Sequence, residues 1–212
     1  MGQTENRIYI RTHRTQRSVS VAFLIDMSSS TNELIYGSDK KIIDVEKEAL
    51  AVTAEALDAL GDCFAIYGFS GYGRSQVAFY IAKEFDHQWN EASQNRLGNM
   101  NWKMENRDGA AIRHCLSHLE QRREKTKILI LLSDGKPLDC GCSHYADSYA
   151  QADTKKALLE ARKRGIHPFC ITVDPDGADY LAQMYGEHGF IVLESVEKLP
   201  LLLPQIYRRL TL

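Results

Sequence analysis

Short, almost wholly apolar segments alternate with longer amphipathic segments along this chain, and this alternation constrains the fold more than any other feature of the sequence. Residues 19–25 and 128–132 are of the first kind, as expected for strands that are buried on both faces of a parallel sheet. Residues 41–60 are of the second kind, and Gly61 after them suits the end of a helix. Strands that alternate with helices predict an α/β domain with a doubly wound sheet covered by helices on both faces.

The remaining segments complete a mostly parallel, six-stranded sheet. The link between residues 63–69 and residues 75–85 is too short for a parallel crossover, so residues 75–85 are expected to form an antiparallel edge strand. Further strands are predicted at residues 167–173 and 190–193. Further helices are predicted at residues 110–122, 154–164, 180–185 and 199–210. The apolar positions at helical spacing in the first helix are Ile42, Val45, Ala49, Val52, Ala56 and Leu60.

Length and composition predict one globular domain. The chain has 212 residues, of which 44% are hydrophobic and 25% charged, and we assign residues 18–212 to the domain and residues 1–17 to a polar, basic N-terminal arm. The formal net charge of -2 argues against a nucleic-acid-coating surface. The sequence shows no apolar segment long enough for a signal peptide or a membrane span, which predicts a cytoplasmic protein. Residues 136–153 are the least regular segment and are predicted to form a functional loop.

Two aspartates stand where predicted strands end. Asp26 follows the strand at residues 19–25, and Asp134 follows the strand at residues 128–132. In open α/β sheets, ligands bind beyond the carboxyl ends of the strands where the strand order reverses, so we expect the two carboxylates to converge there if these strands are the central pair. Two close carboxylates repel each other and raise a pKa unless a cation lies between them.

Two serines strengthen the prediction of a cation site. Ser28 and Ser30 alternate after Asp26, so their hydroxyl oxygens can point to the same place as its carboxylate. A donor set of hard oxygen atoms favours Mg²⁺, with Mn²⁺ or Ca²⁺ as alternatives. Water would complete the coordination shell, and a carboxylate from another protein could replace one water. The competing interpretation is that Asp26 and Asp134 only cap the turns or helices that follow them.

These motifs resemble a known family. The segments Asp26-Met27-Ser28-Ser29-Ser30 and Leu132-Ser133-Asp134-Gly135-Lys136-Pro137 resemble the metal-ion-dependent adhesion site of von Willebrand factor A (VWA) domains. Within that group, the segments at residues 65–70, 109–114, 134–137 and 165–169 resemble the C-terminal domain of the NorD and CbbO proteins. NorD is the nitric oxide reductase activation protein, and CbbO is the Rubisco activase subunit.

The resemblance implies a non-enzymatic adaptor with no catalytic residues. It would work with a hexameric MoxR-type AAA+ ATPase and use its metal site to hold a carboxylate of the target enzyme complex. The metal-binding threonine of the family falls on Asn106, which could coordinate through its amide carbonyl oxygen. Nearby Asp108 is a second candidate ligand and would add negative charge.

Other functions and sites remain open from the sequence. One alternative is a Mg²⁺-dependent hydrolase or phosphatase with Asp26 as its nucleophile, and another is a metal-free scaffold, which Asn106 suggests. Cys140, Cys142 and His144 could form an additional metal site or a contact with the target, although the spacing is tighter than in most zinc sites. The five cysteines are expected to be reduced thiols.

One histidine pair also has the spacing of metal ligands. His114 and His118 are four residues apart on a predicted helix, but no glutamate follows His114 as in zinc proteases. We therefore interpret the pair as two ordinary histidines on a helix surface.

Overall fold

A computed structural model describes residues 18–139 and 146–211 and contains a six-stranded sheet in the order β3-β2-β1-β4-β5-β6. All neighbouring strands pair in parallel except β2 and β3, which pair antiparallel at one edge. This architecture confirms the predicted doubly wound, mostly parallel sheet. The strands are β1 (Val19–Asp26), β2 (Cys63–Gly71), β3 (Val77–Lys83), β4 (Thr126–Ser133), β5 (Ile166–Thr172) and β6 (Phe190–Val192).

Six α-helices and two short 3-10 helices connect these strands in the described part of the chain. The α-helices are α1 (Ile42–Leu60), α2 (Glu91–Gly98), α3 (Asp108–Glu120), α4 (Asp147–Lys163), α5 (Gly177–Tyr185) and α6 (Leu199–Leu210). The 3-10 helices are Ser29–Asn32 and Val196–Lys198. Residues 1–17, which include the predicted basic arm, lie outside the described residues, and so do Cys140, Cys142 and His144.

Two helices differ from the prediction. Helix α2 was not predicted because it buries only Ser93 and Leu97, so it has no apolar face to reveal it. It is instead defined by a capping box, in which Asn90 and Ser93 each bond the other's backbone N–H. Helix α4 begins at Asp147, so the irregular segment predicted to run to residue 153 ends earlier.

The sheet is buried on both faces because alternate residues of each strand point to opposite sides. From β1, Val21, Phe23 and Ile25 pack in the core with α1 and α6, whereas Ala22 and Leu24 pack with α3 and α4. Burial of each large apolar side chain contributes about 1.5–3 kcal/mol. The near-continuous apolar sequence of β1 is thus explained by a core on each side of it.

The predicted apolar face of α1 was wrong in part. Val52, Ala56 and Leu60 are exposed. The buried stripe instead includes Ile43, Glu46, Ala49, Leu50, Thr53 and Leu57. Two of these buried positions are polar, so a search for apolar residues alone skipped them and selected solvent-facing positions in their place.

The cysteines in the described residues carry no disulfide. Cys63, Cys115 and Cys170 are free thiols, and Cys115 and Cys170 are buried in the core. Burial raises the pKa of both buried thiols, which keeps them protonated. They act as small apolar side chains.

Candidate metal site at the carboxyl ends of the central strands

The two predicted strand-end aspartates lie at the same edge of the sheet. Asp26 is the last residue of β1, and Asp134 directly follows Ser133, the last residue of β4. The two strands are neighbours, with Ile25 in register with Leu132, and the strand order reverses between them. Parallel strands with this register deliver both acids to the same point.

A chain of hydrogen bonds through Ser28 and Ser30 connects the two aspartates. The Ser30 hydroxyl donates to Asp134 Oδ1 at 3.0 Å, and the Ser28 and Ser30 Oγ atoms are also 3.0 Å apart. The Ser28 backbone N–H donates to Asp26 Oδ1 at 2.8 Å, which fixes the turn after β1. The four residues that the sequence assigned to this motif are therefore linked in one chain of contacts, from Asp26 through Ser28 and Ser30 to Asp134.

The Asp26 carboxyl group is fully buried and accepts hydrogen bonds at both oxygens. In addition to Ser28 at Oδ1, the Asn106 amide nitrogen donates to Oδ2 at 2.7 Å and the Ser133 hydroxyl donates to Oδ2 at 3.2 Å. Burial raises the pKa of Asp26, and these hydrogen bonds oppose that rise. Ser133 was not selected from the sequence, although its place at the end of β4, next to Asp134, was the available signal.

Asn106 joins Asp26 to the loop that follows β4. Its amide nitrogen bonds Asp26, while its Oδ1 accepts from the Leu138 backbone N–H at 2.6 Å. The Asn106 backbone N–H donates to the Leu138 carbonyl oxygen at 3.0 Å. The carbonyl oxygen predicted to bind metal is thus engaged by Leu138, and Asn106 acts in this structure as a hydrogen-bond donor to the buried carboxylate.

Asp108 begins α3 and is buried close to the same group. Its Oδ1 has no hydrogen-bond partner. Burial raises its pKa well above the ordinary value, and the negative charge of Asp26 raises it further. The structure therefore places this predicted residue near Asp26 with a free acceptor atom.

Glu46 is a fourth acid that sequence reasoning missed. It is buried on α1, and its Oε2 has no hydrogen-bond partner. Burial is the main cause that raises the pKa of Glu46 well above the ordinary value. The negative charges of Asp134 and then Asp26 raise it further. Its position on one helical stripe with Ile43 and Leu50 could have revealed it, because those neighbours face the sheet.

These four acids are not balanced by basic side chains. In the part of the chain that the structure describes, no lysine, arginine or histidine forms an ion pair with Asp26, Glu46, Asp108 or Asp134. Burial, together with the charge of Asp26, raises the pKa of Asp134 to about 7. Buried carboxylates are normally paired or bound to a metal, so this imbalance fits an added cation.

The donor atoms fit a hard cation. The oxygen atoms at the site come from Asp26, Asp134, Ser28 and Ser30, and hard oxygen ligands suit Mg²⁺, Mn²⁺ or Ca²⁺. Among the described residues, no three acids, histidines or cysteines form a ready-made metal cluster. A metal here would consequently depend on the serine hydroxyls and on water as well as on carboxylates.

The site opens into a surface cleft of about 380 Å³. The cleft is lined by residues from the turn after β1, the segment before α3, the loop after β4 and the turn after β5, including Ser28, Ser30, Asn106, Lys136, Leu138 and Asp174. A side chain from another protein can therefore reach the hydroxyl groups of the motif.

An ion pair beside the site holds the surrounding loops together. Arg107 Nε lies 3.4 Å from Asp139 Oδ2, and the side chains are 9% and 0% exposed. Asp139 Oδ1 also accepts from the Gly73 backbone N–H at 2.9 Å. This contact joins the β2–β3 turn, the start of α3 and the loop after β4.

Comparison with known proteins identifies the class of this domain. Residues 20–205 match the model of the von Willebrand factor type A domain, and the chain belongs to that family. Two solved structures with this fold are the PilB minor pilin from Streptococcus sanguinis and the pilus adhesin SpaC from Lactobacillus rhamnosus GG. PilB gives a TM-score of 0.68 at 14% identity over 93% of this chain and 62% of that one. SpaC gives 0.70 at 14% identity over 93% and 31%, and identities this low show the fold alone.

Within the family, the chain is similar to NorD proteins. It is 34% identical to Protein NorD of Brucella melitensis over 99% of this chain and 32% of the relative, and 33% identical to Protein NorD of Stutzerimonas stutzeri over 92% and 31%. It is also 38% identical to an uncharacterized protein of Pseudomonas aeruginosa over 99% and 34%. The chain thus spans about a third of the length of these relatives. Among the described residues, none of the helices has the length and apolar character needed to cross a membrane.

Proposed function

We propose that this domain is a non-enzymatic adaptor that binds a divalent cation and uses it to hold an acidic side chain of a target enzyme complex. The observation that carries the proposal is the contact of Asp26, Ser28, Ser30 and Asp134 at one sheet edge, without a basic partner among the described residues. A protein-interaction role is the one that VWA domains and NorD relatives support.

Each residue has a distinct role in this proposal. Asp26, Ser28, Ser30 and Asp134 would hold the cation, with Mg²⁺ favoured over Mn²⁺ and Ca²⁺. The cation would supply a Lewis-acidic position that a partner carboxylate can occupy in exchange for water. Asn106 and Ser133 orient Asp26 by donating to its Oδ2. Burial raises the pKa of Glu46 and Asp108, and a bound cation would favour their ionised forms, so that they would then add negative charge around it.

The partners follow from the family resemblance. Similarity to NorD supports a MoxR-type AAA+ ATPase hexamer as the machine with which the adaptor works. The target would be an enzyme complex of the nitric oxide reductase or Rubisco type that presents a carboxylate. The cleft beside Ser28 and Ser30 provides the space for that side chain.

The burial of Asp26 favours coordination over nucleophilic catalysis. Its side chain is fully buried, so a phosphoester has no approach to it for nucleophilic attack, whereas Oδ1 accepts one hydrogen bond from the Ser28 backbone and keeps a lone pair for a cation. A metal-free scaffold would keep Glu46 and Asp108 buried near Asp26 in the protonated form that their raised pKa values favour, which gives these acids no role in binding. The adaptor with a bound cation is therefore the function that we propose.

Mg²⁺ binding and partner capture test the proposal in two separate steps. Isothermal titration calorimetry of the untagged chain is expected to show one Mg²⁺ bound per chain, and Asp26→Ala or Asp134→Ala should abolish it while the circular dichroism spectrum stays unchanged. Asp58→Ala is the matched control, because Asp58 is an exposed acid near the opposite end of α1. An absence of Mg²⁺, Mn²⁺ and Ca²⁺ binding would leave the metal-free scaffold as the better description.

The second step measures capture of purified MoxR-type ATPase hexamer and of the target complex by the immobilised chain. Capture of the target is expected in Mg²⁺, and it should be lost in EDTA and in both aspartate variants but retained by Asp58→Ala. Capture that survives both aspartate substitutions would reject the metal bridge. Mg²⁺ binding without capture would keep the metal site and reject these partners.

A further inference from the structure

A second group of metal-ligating side chains lies on the flank of α3, away from the acidic site. His114 and His118 are one helical turn apart, and their Nε2 atoms face each other at 3.5 Å. At a rise of about 1.5 Å per residue, the two histidines lie roughly 9 and 15 Å along the helix from Asp108. The pair is therefore separate from the carboxylates at the start of the same helix.

The distance between the two nitrogens matches that of two ligands on one metal ion. Zinc binds imidazole nitrogen at about 2.0–2.1 Å with tetrahedral angles, which puts two such nitrogens roughly 3.3 Å apart. The observed 3.5 Å needs only a small adjustment of the two rings. No glutamate follows His114, so the general base of a zinc protease is missing and the pair suits binding.

Aromatic contacts hold both imidazole rings in place. The ring of His114 contacts Phe79 edge to face at 4.5 Å between centroids, and the ring of His118 stacks on Phe79 at 5.9 Å. The His118 ring also lies 5.2 Å from Tyr67. Rings that are already oriented lose little side-chain entropy when they bind an ion.

A carboxylate lies behind one of the two histidines. Glu84 Oε2 lies 3.6 Å from His118 Nδ1 and accepts a hydrogen bond from the Tyr67 hydroxyl at 2.6 Å. This negative charge favours a proton on Nδ1, which leaves the Nε2 lone pair directed toward His114. Metal-binding histidines commonly donate a hydrogen bond to a carboxylate through the second ring nitrogen, and a small approach of Glu84 from 3.6 Å would form this bond.

We propose that His114 and His118 form a binding site for a borderline transition-metal ion of the Zn²⁺ class, oriented by Glu84. Imidazole nitrogen selects such ions, whereas the hydroxyls and carboxylates of Asp26 and Ser30 select hard ions. Water or a side chain of a bound protein completes the coordination, because the two histidines leave positions open. Burial and the neighbouring His118 lower the pKa of His114, which favours the neutral imidazole needed for coordination.

Zinc titration of the untagged chain in excess Mg²⁺ tests this site. The chain carries Cys140→Ser and Cys142→Ser so that the thiols outside the described residues do not bind the ion. In this background His114→Ala and His118→Ala are each expected to weaken Zn²⁺ binding at least about tenfold, and Glu84→Gln about tenfold. The matched control is His167→Ala, which removes an exposed histidine of β5 and should leave Zn²⁺ affinity unchanged.

Nitrogen NMR of the imidazole rings distinguishes metal binding from a hydrogen bond between the histidines. The Nε2 signals of His114 and His118 are expected to shift together as Zn²⁺ is added, and melting temperatures of the metal-free variants confirm folding. Unchanged Zn²⁺ affinity in both alanine variants would overturn the proposal. So would a hydrogen bond between the two Nε2 atoms that persists at saturating Zn²⁺.

Discussion

Two buried acids at the same edge of the sheet differ in their partners, because one is paired with a basic side chain and the other has only neutral hydrogen-bond donors. The Asp139 side chain is fully buried, and Arg107 supplies a cation 3.4 Å away. Asp26 is also fully buried, but its hydrogen-bond donors are all neutral: an amide, a hydroxyl and a backbone N–H. Asn106 and Arg107 are consecutive in the chain, so the neutral donor and the cation arise from one short segment.

The negative charge of Asp139 is neutralised by a side chain of the protein itself, whereas that of Asp26 is not. The Arg107 and Asp139 pair is a permanent contact that connects three loops. The Asp26 group includes unpartnered oxygens on Glu46 and Asp108 and has no such cation among the described residues. A permanent arginine beside Asp26 would exclude an exchangeable ion. The imbalance is thus the property that a site for a removable cation requires.

The largest expected effect comes from breaking the permanent pair. Arg107→Met leaves Asp139 buried without its cation, and loss of one partner of a buried ion pair costs about 3–5 kcal/mol. We expect the free energy of unfolding in urea to fall by that amount.

Arg113→Met, in the helix α3 that directly follows Arg107, is the control. Arg113 contacts Asp153 and Glu160, but its side chain is 32% exposed, so this substitution should cost about 1 kcal/mol or less. Equal losses in the two variants would contradict the distinction between a buried pair and a surface network.

The next effect is stabilisation by Mg²⁺. An ion that binds only the folded state at a hundred times its dissociation constant raises the free energy of unfolding by about 2.7 kcal/mol. We expect this gain for the unchanged chain and for Arg113→Met, but not for Asp26→Ala. Urea unfolding with Mg²⁺ and with EDTA measures it, and an equal gain in Asp26→Ala would place the ion elsewhere.

The metal-free chain should also lose stability as the pH rises. The folded pKa of Asp134 is raised from 3.8 to about 7, so its contribution is fully present below pH 3.8 and is lost as the pH rises through about 7. Asp26, Glu46 and Asp108 are raised in the same direction and add to the loss. Mg²⁺ should remove much of this slope, and a metal-free stability that increases between pH 5 and pH 8 would contradict the prediction.

The acids of the metal site were easier to predict from the sequence than the buried ion pair beside it. Asp26 and Asp134 were identifiable because each follows an apolar strand, and the parallel sheet brings such ends together. The hydrogen bond from Leu138 to Asn106 was not predictable, because it depends on how a loop after β4 meets a segment 32 residues earlier. The same limit applies to the pair of Arg107 with Asp139.

Burial of polar side chains was the other difficulty. Glu46 stands in a charged segment with Lys47 and Glu48, and such segments normally face solvent. Only the correct helical phase of α1 shows that Glu46 faces the sheet, and the apolar pattern had placed that phase at Val52 and Leu60. The strands were therefore predictable from hydrophobicity, whereas the polar neighbours of the site required the packed structure.

The smallest expected effect tests whether Glu46 stabilises the fold or favours binding of the cation. Glu46→Gln keeps the shape of the side chain but removes its ability to ionise, so the metal-free chain should become more stable at pH 8, because burial opposes the ionised form of Glu46. The same substitution should weaken Mg²⁺ binding severalfold, because Glu46 acts on Asp26 and Asp134 through its negative charge. Calorimetry and urea unfolding of one variant measure both quantities. A loss of stability without Mg²⁺ would mean that Glu46 is balanced within the fold, as Asp139 is, and the contrast between the two regions would fail.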